Sequence, residues 1–412
     1  MLTFLLLIIL VIFLFEIFLQ LLIPYLKKDF QWIITEKDEI PKFDNKILSN
    51  FFTNSFDKEL GWVRKPNTTG YEKTSNGKIK FQIDKNGSRE LNKKFNKNLI
   101  ATFGDSYTFC RQVNNNETWQ SYLSQKLNAG VQNFGVGNYG LDQALLYYKR
   151  KKIDSSVKYI VMGFVPETIC RIHSYWKHYL EFGNTFAFKP RYILKNNEII
   201  LLDNKISEIE DFNNLSEILS DVKRNDYFYI RKFKSRQFRF PYSLSFFKNT
   251  FLNFSLFLLI LKRRVLIYFK SDTDNFSGEI FAKIMKSNIK ESHNMYLNNK
   301  ACDLLEMIIM NFKKEAKSRG HVPIILIMPQ MFDLDYYRKN YISACELFYS
   351  KLEKKINILD IGKFIKNENL NEIYVEDLYG GHFSKKGNKI VSNILLEYIN
   401  EIETLDMNIK NA

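Results

Sequence analysis

The sequence predicts a three-layer α/β/α sandwich around a five-stranded parallel sheet, preceded by an N-terminal transmembrane helix. From residue 98 onwards, short apolar runs of strand length alternate with amphipathic helical patterns. Because strands that alternate with helices pair in parallel through right-handed crossovers, helices should cover both faces of the sheet. The predicted strands are 98–103, 130–135, 157–164, 322–328 and 356–360, and the predicted helices are 116–128, 140–152, 300–319, 337–354 and 385–402.

Residues 1–26 are predominantly apolar, interrupted by Thr3, Glu16 and Gln20, and the apolar run reaches Ile23 ahead of Pro24. About 20 such residues suffice to cross a bilayer as a helix. No small-residue cleavage site follows, so the pattern favours an uncleaved anchor over a signal peptide. Lys27 and Lys28 follow the span and no Lys or Arg precedes it. The positive-inside rule then places the body in the cytoplasm, although single N-terminal anchors often export the body. The orientation stays open on these residues.

Charge and cysteine content narrow the range of partners. The chain of 412 residues carries a net charge of +15, from 60 Lys and Arg against 45 Asp and Glu. This excess suits anionic lipid, anionic glycan or nucleic acid. Since no zinc finger, RNA-binding signature or basic tail is present, a nucleic-acid partner is not expected. The four cysteines have no CxxC spacing and indicate neither a disulfide framework nor a zinc site. We expect no metal and no cofactor.

The chain divides into four predicted regions. They are an anchor at 1–28, a connector with a small β-rich lead-in at 29–96, the sheet domain at 97–170 and 300–404, and an insert at 171–299. The insert contains a hairpin pattern around Asn196-Asn197, a basic and aromatic stretch, and an apolar run at 251–261. Eleven residues are short for a span. Residues 246–264 therefore form either an interfacial helix on the membrane or part of a helical subdomain that covers the active-site edge.

Three stretches of the sheet domain carry residues suited to chemistry. The first apolar strand stops at Gly104-Asp105-Ser106, which would place a serine at the carboxyl edge, where open α/β sheets bind ligands. An ordinary turn is the alternative, since all three are favoured turn residues. A Gly- and Asn-rich loop follows the second strand at 133–143. The third stretch brings His382 ahead of the last helix as a base for the serine, with Asp377 or Glu376 near enough to orient it.

These three stretches, in this order, resemble the SGNH (GDSL-type) hydrolase family over roughly residues 60–402. The resemblance implies a flavodoxin-like SGNH fold in which Ser106 is the nucleophile. His382 would be the general base and Asp377 the group that orients it.

The same resemblance implies an oxyanion hole and an extracytoplasmic site. The Ser106 N–H, Asn138, Gly137 and Thr168 would surround the developing negative charge. Near them we expect Asp105 and Arg171 as possible substrate contacts, with a salt bridge as the alternative role for Arg171. The implied substrates are acylated cell-envelope glycans or other esters.

The chain departs from the family pattern at three positions. Asn138 stands where the family has a glycine, Thr168 stands where it has an asparagine, and Asp377 is farther from His382 than usual. Loss of one oxyanion donor typically lowers the rate about 10²- to 10³-fold. The sequence therefore supports two hypotheses: a membrane-anchored serine esterase or O-acyltransferase, and a catalytically weak or silent SGNH-fold protein that binds glycan or serves as a scaffold. Residues 246–264 motivate a third, a membrane-surface lipase.

Overall fold

The computed structural model of the chain describes residues 1–28, 32–74, 77–269, 276–339, 341–375 and 381–411. The chain divides into two compact units. The first comprises Met1–Thr53, His173–Lys189 and Asn204–Ile280, and the second comprises Asn54–Ile172, Pro190–Asp203 and Phe281–Ala412.

The second unit contains the predicted sheet. Its five strands are β1 (Asn98–Gly104), β2 (Gly130–Gly135), β3 (Tyr159–Phe164), β4 (Val322–Ile327) and β5 (Asn357–Asp360). All pair in parallel, in the order β5-β4-β3-β1-β2. Residues of β3 are buried on both faces, as expected for a parallel sheet covered by helices on each side. The predicted α/β fold with five parallel strands is confirmed.

Helices connect these strands and follow the last one. They are Ser106–Phe109, Trp119–Leu127, Leu141–Arg150, Thr168–Arg171, Phe276–Met295, Asn299–Ser318, Leu334–Tyr337, Ala344–Leu352, Gly362–Ile365, Leu370–Ile373 and Lys385–Asn411. The prediction of one helix over 337–354 is wrong. Ser343 caps a new helix, because its hydroxyl accepts the Glu346 N–H and the Glu346 carboxylate accepts the Ser343 N–H.

The strand order fixes where a ligand would bind. From β1 the chain moves outward to β2 and then crosses back to β3 on the other side of β1. In such sheets ligands bind at the carboxyl ends of the two strands that flank this reversal. Ser106 directly follows β1, and the segment with Thr168 directly follows β3.

Three antiparallel pairs also belong to the second unit. They are Phe56–Asp57 with Gly61–Trp62, Thr68–Thr74 with Gly77–Ile83, and Arg191–Lys195 with Glu198–Leu202. The last is the hairpin that the sequence predicts. Its turn residues Asn196 and Asn197 have φ of 52° and 60°, the left-handed backbone that a two-residue hairpin turn requires.

The first unit is mainly helical. Its helices are Leu2–Lys27, Glu36–Glu39, Asn45–Asn54, Lys177–Leu180, Ile209–Phe212, Leu215–Asn225, Tyr229–Lys234, Tyr242–Lys248 and Thr250–Tyr268. Among the described residues, Leu2–Lys27 is the one helix that is long and apolar enough by itself to cross a membrane. The pair Tyr242–Lys248 and Thr250–Tyr268 meets the same test jointly but is bent by 104°.

Asp360, at the end of β5, generates a prediction about stability. Its carboxylate is 3% exposed and accepts the Tyr337 hydroxyl at 3.1 Å and the Gly362 N–H at 3.0 Å. Burial raises the pKa of Asp360 from 3.8 to about 7. A raised folded-state pKa stabilises the fold below the unfolded value, and that stabilisation is lost as the pH rises through the folded value. The free energy of unfolding should therefore fall as the pH rises from about 4 to about 7, as the stabilisation from protonated Asp360 is lost.

Asp360→Asn keeps the shape of the side chain without the titration. Denaturant unfolding at pH 4, 5.5 and 7 should show a smaller decline with rising pH in this variant than in the unaltered protein. Identical slopes would contradict the assignment.

Candidate active site

Ser106 lies on a tight turn between β1 and a short helix. Asp105 caps this helix, because its Oδ1 accepts the Tyr107 N–H at 2.9 Å. Gly104 has a φ of 151°, and a Cβ there would lie 1.8 Å from the Gly163 carbonyl oxygen on β3. Only glycine is therefore tolerated at the end of β1. The Ser106 N–H, as the first of the helix, has no intrahelical acceptor and is available to a ligand.

The structure brings His382 to Ser106. The distance from His382 Nε2 to Ser106 Oγ is 2.8 Å, and both residues are buried with 7% of their surface exposed. This is the distance expected between a nucleophile and its general base. The two residues are 276 positions apart, so the contact depends on the tertiary fold.

Two residues that the sequence analysis did not single out hold His382 in place. The Gln112 side-chain oxygen accepts the His382 backbone N–H at 2.8 Å. The Tyr107 ring lies 4.8 Å from the imidazole, and its hydroxyl donates to the Gly381 carbonyl at 2.8 Å. Tyr107 adjoins the nucleophile in sequence, which was a usable signal. Nothing in the pattern around Gln112 indicates its role.

His382 is poised as a neutral base. Burial first, and then the positive charges of Arg111 and Arg171, together lower the pKa of His382 from 6.5 to about 3. A neutral imidazole can accept the serine proton at neutral pH. Among the described residues, Nδ1 of His382 has no hydrogen-bond partner. Asp377 lies outside the described residues, and its orienting role stays a prediction.

A buried ion cluster supports the nucleophile turn. Arg171 Nη1 lies 3.0 Å from Asp105 Oδ2 and donates to the Tyr139 carbonyl at 3.2 Å, while Nη2 lies 2.9 Å from Glu167 Oε2. The Val165 N–H also donates to Asp105 Oδ2, at 3.0 Å. Burial raises the pKa of Asp105, and Arg171 and the backbone N–H groups oppose that rise.

This geometry indicates that Asp105 and Arg171, which the sequence predicts as possible substrate contacts, position the nucleophile turn. Asp105 has no exposed surface, and Arg171 is 6% exposed. The salt bridge considered for Arg171 is present. Direct contact of Asp105 or Arg171 with substrate stays a prediction that the arrangement does not favour.

Backbone geometry accounts for the asparagine at position 138. Asn138 has a φ of 69°, in the left-handed region where asparagine is the residue best tolerated after glycine. Asparagine therefore suits this position of the loop. The neighbouring Gly137 carbonyl accepts the Trp62 indole N–H at 2.9 Å, which fixes the loop from outside.

Thr168 is held by the loop as well. Its hydroxyl oxygen accepts the Leu141 N–H at 2.9 Å, at the start of the helix Leu141–Arg150. In the part of the chain that the structure describes, Asn138, Gly137 and Thr168 make no hydrogen bond to Ser106. Their part in an oxyanion hole stays a prediction. No cluster of three or more His, Cys, Asp or Glu side chains suited to a metal occurs among the described residues.

Comparisons with known proteins are sparse. No family model matches the chain, and no curated protein is similar to it. Among solved structures it is similar to a candidate lipolytic protein of the G-D-S-L family from Desulfitobacterium hafniense DCB-2. The identity is 11% and the TM-score 0.32, over 73% of this chain and 99% of that one. The α/β assignment therefore depends on the sheet itself, and the site depends on the contacts described above.

Tyr107→Phe tests how the base is held. The variant keeps the ring against His382 but leaves the buried Gly381 carbonyl without its donor, which costs about 1–3 kcal/mol of unfolding free energy. We expect this loss together with slower reaction of Ser106 with a serine-directed fluorophosphonate. The matched control is Tyr148→Phe, which removes a hydroxyl bonded to His321 Nδ1 at 2.8 Å, beside the amino end of β4. It should lower stability without changing the labelling rate. Equal labelling losses in both variants would contradict a specific role for Tyr107.

Proposed function

We propose that this chain is a membrane-anchored serine esterase or O-acyltransferase that acts on acylated cell-envelope glycans through an acyl-enzyme on Ser106. The observation that carries the proposal is the 2.8 Å contact between Ser106 Oγ and His382 Nε2 at the carboxyl edge of the sheet. A neutral base beside a serine hydroxyl supports nucleophilic acyl transfer, and the choice of esters among acyl substrates comes from the family resemblance. The glycan part comes from the family resemblance.

The proposed reaction begins with proton transfer from Ser106 Oγ to His382 Nε2 while Oγ attacks the ester carbonyl. The Ser106 N–H donates to the oxyanion, and Asn138, Gly137 and Thr168 lie on the two loops that would supply further donors. Collapse of the tetrahedral intermediate breaks the bond to the alcohol, which takes the proton from His382. Water or a sugar hydroxyl then attacks the acyl-serine with the same base. Asp377 would accept the Nδ1 proton of His382.

The helix Leu2–Lys27 would anchor the enzyme to the membrane. Apart from Thr3, its side chains from Leu2 to Leu14 are exposed and apolar, as expected of residues that face lipid. We place the catalytic unit on the extracytoplasmic side, where acylated envelope glycans are found. Lys27 and Lys28 argue for the opposite orientation.

A specific observation favours the second candidate function, a catalytically silent glycan-binding or scaffold protein. Thr168 stands where the family has an asparagine and offers a single hydroxyl donor, whose oxygen already accepts the Leu141 N–H at 2.9 Å. The spacing of Asp377 from His382, longer than in the family pattern, is the second reason for this alternative.

Labelling with a fluorophosphonate separates the two functions. The unaltered protein should label covalently and hydrolyse an aryl acetate, and Ser106→Ala should abolish both, because it removes the attacking oxygen. Ser155→Ala, an exposed serine in the loop before β3, is the matched control and should label normally. A folded, unaltered protein that neither labels nor hydrolyses would support the silent alternative. Full activity in Ser106→Ala would overturn the nucleophile assignment.

The low pKa of His382 predicts an unusual pH profile. Since the pKa falls from 6.5 to about 3, the base form persists well below pH 6.5. The labelling rate should therefore stay on its plateau as the pH is lowered from 8 to below 6. Circular dichroism at each pH should confirm that the protein remains folded. A half-maximal rate near pH 6.5 in a folded protein would show that His382 titrates as an ordinary histidine.

A further inference from the structure

A row of apolar side chains on the helix Thr250–Tyr268 is left uncovered in the first unit. Its members recur every three or four residues and so share one face of the helix. They are Phe251, Phe254, Leu258, Leu261 and Val265, with exposed fractions of 91, 56, 51, 61 and 47%. We refer to these five residues as the outer stripe. The opposite face, with Asn253 and Ile260, is buried. A large apolar surface of this kind marks an interaction site.

A charged residue of the helix Leu2–Lys27 connects that helix to the bent pair. The two carboxylate oxygens of Glu16 accept the backbone N–H groups of Tyr242 at 2.6 Å and Ser243 at 2.7 Å. A carboxylate inside a bilayer is costly unless it is paired. The unpaired N–H groups at the start of Tyr242–Lys248 supply the partners. These hydrogen bonds account for Glu16, the one acidic residue in the apolar helix Leu2–Lys27.

Aromatic and amide contacts complete this docking. The Phe15 ring lies 6.0 Å from the Phe246 ring and 5.8 Å from the Phe247 ring. At the bend, the Asn253 side-chain N–H donates to the Phe246 carbonyl at 2.9 Å. Backbone groups freed by a bend must find such internal partners if the segment lies in lipid.

The segment that precedes the bent pair and the last turns of its second helix both lie near the carboxyl-terminal end of the helix Leu2–Lys27. Before the pair, the Phe238 N–H donates to the Ile34 carbonyl at 2.8 Å, just beyond that end. Late in the second helix, the Arg264 guanidinium lies 4.9 Å from the Tyr25 ring centre. A spanning segment would separate its ends by about 30 Å along the anchor. Glu16 and Tyr25 are nine residues apart, or about 14 Å along a helix.

We propose that the bent pair is inserted in a single leaflet, the one around the carboxyl-terminal half of the helix Leu2–Lys27. The occupant of the outer stripe is the acyl-chain layer of that leaflet. Lys262, Arg263 and Arg264 interrupt the apolar run at the level of Tyr25, ahead of Lys27 and Lys28, where anionic headgroups would lie. This inference rests on the proposed anchoring by Leu2–Lys27.

Spin labels on the full chain test the proposal in vesicles of phosphatidylcholine with a minority of phosphatidylglycerol. Cys302→Ser, a partly exposed cysteine, serves as the background. Single cysteines replace Leu258 in the outer stripe, Leu7 in the anchor and the exposed Ile47 as an aqueous control. Collisions with oxygen report lipid, and collisions with a water-soluble nickel chelate report solvent. The Leu258 label should give an oxygen-to-nickel ratio like that of Leu7 and severalfold above that of Ile47.

The outcomes separate the two proposals. If the Leu7 label reports lipid and the Leu258 label reports water, single-leaflet insertion is wrong and the anchor stands. If the Leu7 label reports water, the anchor itself is wrong. A Leu258 label shielded from both reagents would show that a second copy of the chain covers the stripe, which would overturn the lipid assignment.

A second variant tests the role of Glu16. In the Leu258→Cys background, Glu16→Leu removes both acceptors of the pair, and the ratio should shift towards the aqueous control. Thr3→Leu, near the start of the same helix, also replaces a polar residue by leucine but keeps those acceptors, and it should leave the ratio unchanged. An unchanged ratio in Glu16→Leu would contradict docking through Glu16.

Discussion

The candidate site depends on the ion pairs and the hydrogen bond that the Arg171 guanidinium makes. Parallel strands deliver their carboxyl ends to one edge but do not by themselves fix the loops that follow. Arg171 joins three of these loops, through Asp105 after β1, the Tyr139 carbonyl after β2 and Glu167 after β3. Removing one partner of a buried ion pair typically costs 3–5 kcal/mol, because the other charge is left uncompensated. The position of the Ser106 turn relative to the neighbouring loops is therefore tied to this one side chain.

The segment that carries Ser106 also carries the side chains that contact its base, His382. Within eight residues, the segment 105–112 supplies the helix cap, the serine, the ring that contacts the imidazole and the amide that binds the His382 backbone. His382 arrives from 276 residues away, yet most of its described contacts are with this short segment. The position of His382 relative to Ser106 is therefore set mainly by segment 105–112. The rest of the chain has to bring His382 into contact with that segment.

The sheet was predictable because continuous apolar runs of strand length are hard to place anywhere except a buried parallel sheet. The run at 98–103 became Asn98–Gly104, and the hairpin at Asn196-Asn197 followed from two residues that tolerate a left-handed backbone. Side-chain contacts over long sequence distances were not predictable. Gln112 looks like any polar loop residue until His382 lies beside it. The sequence did not predict the bend after Lys248, because an apolar run does not indicate where the backbone changes direction. It did not predict the break before Ser343, because one N-terminal cap outweighed the helical pattern.

The contact between Glu16 and the helix Tyr242–Lys248 has a consequence for biosynthesis. Glu16 is made 226 residues before Tyr242, whose N–H it accepts. At translation rates of about 5–20 residues per second, roughly 10–45 s separate the two. The proposed anchor is thus complete well before the helix pair whose N–H groups bind its carboxylate exists. On the proposed anchoring, membrane insertion precedes docking. In the interval between them, a quality-control protease or chaperone would meet an anchor whose carboxylate lacks the Tyr242 and Ser243 donors.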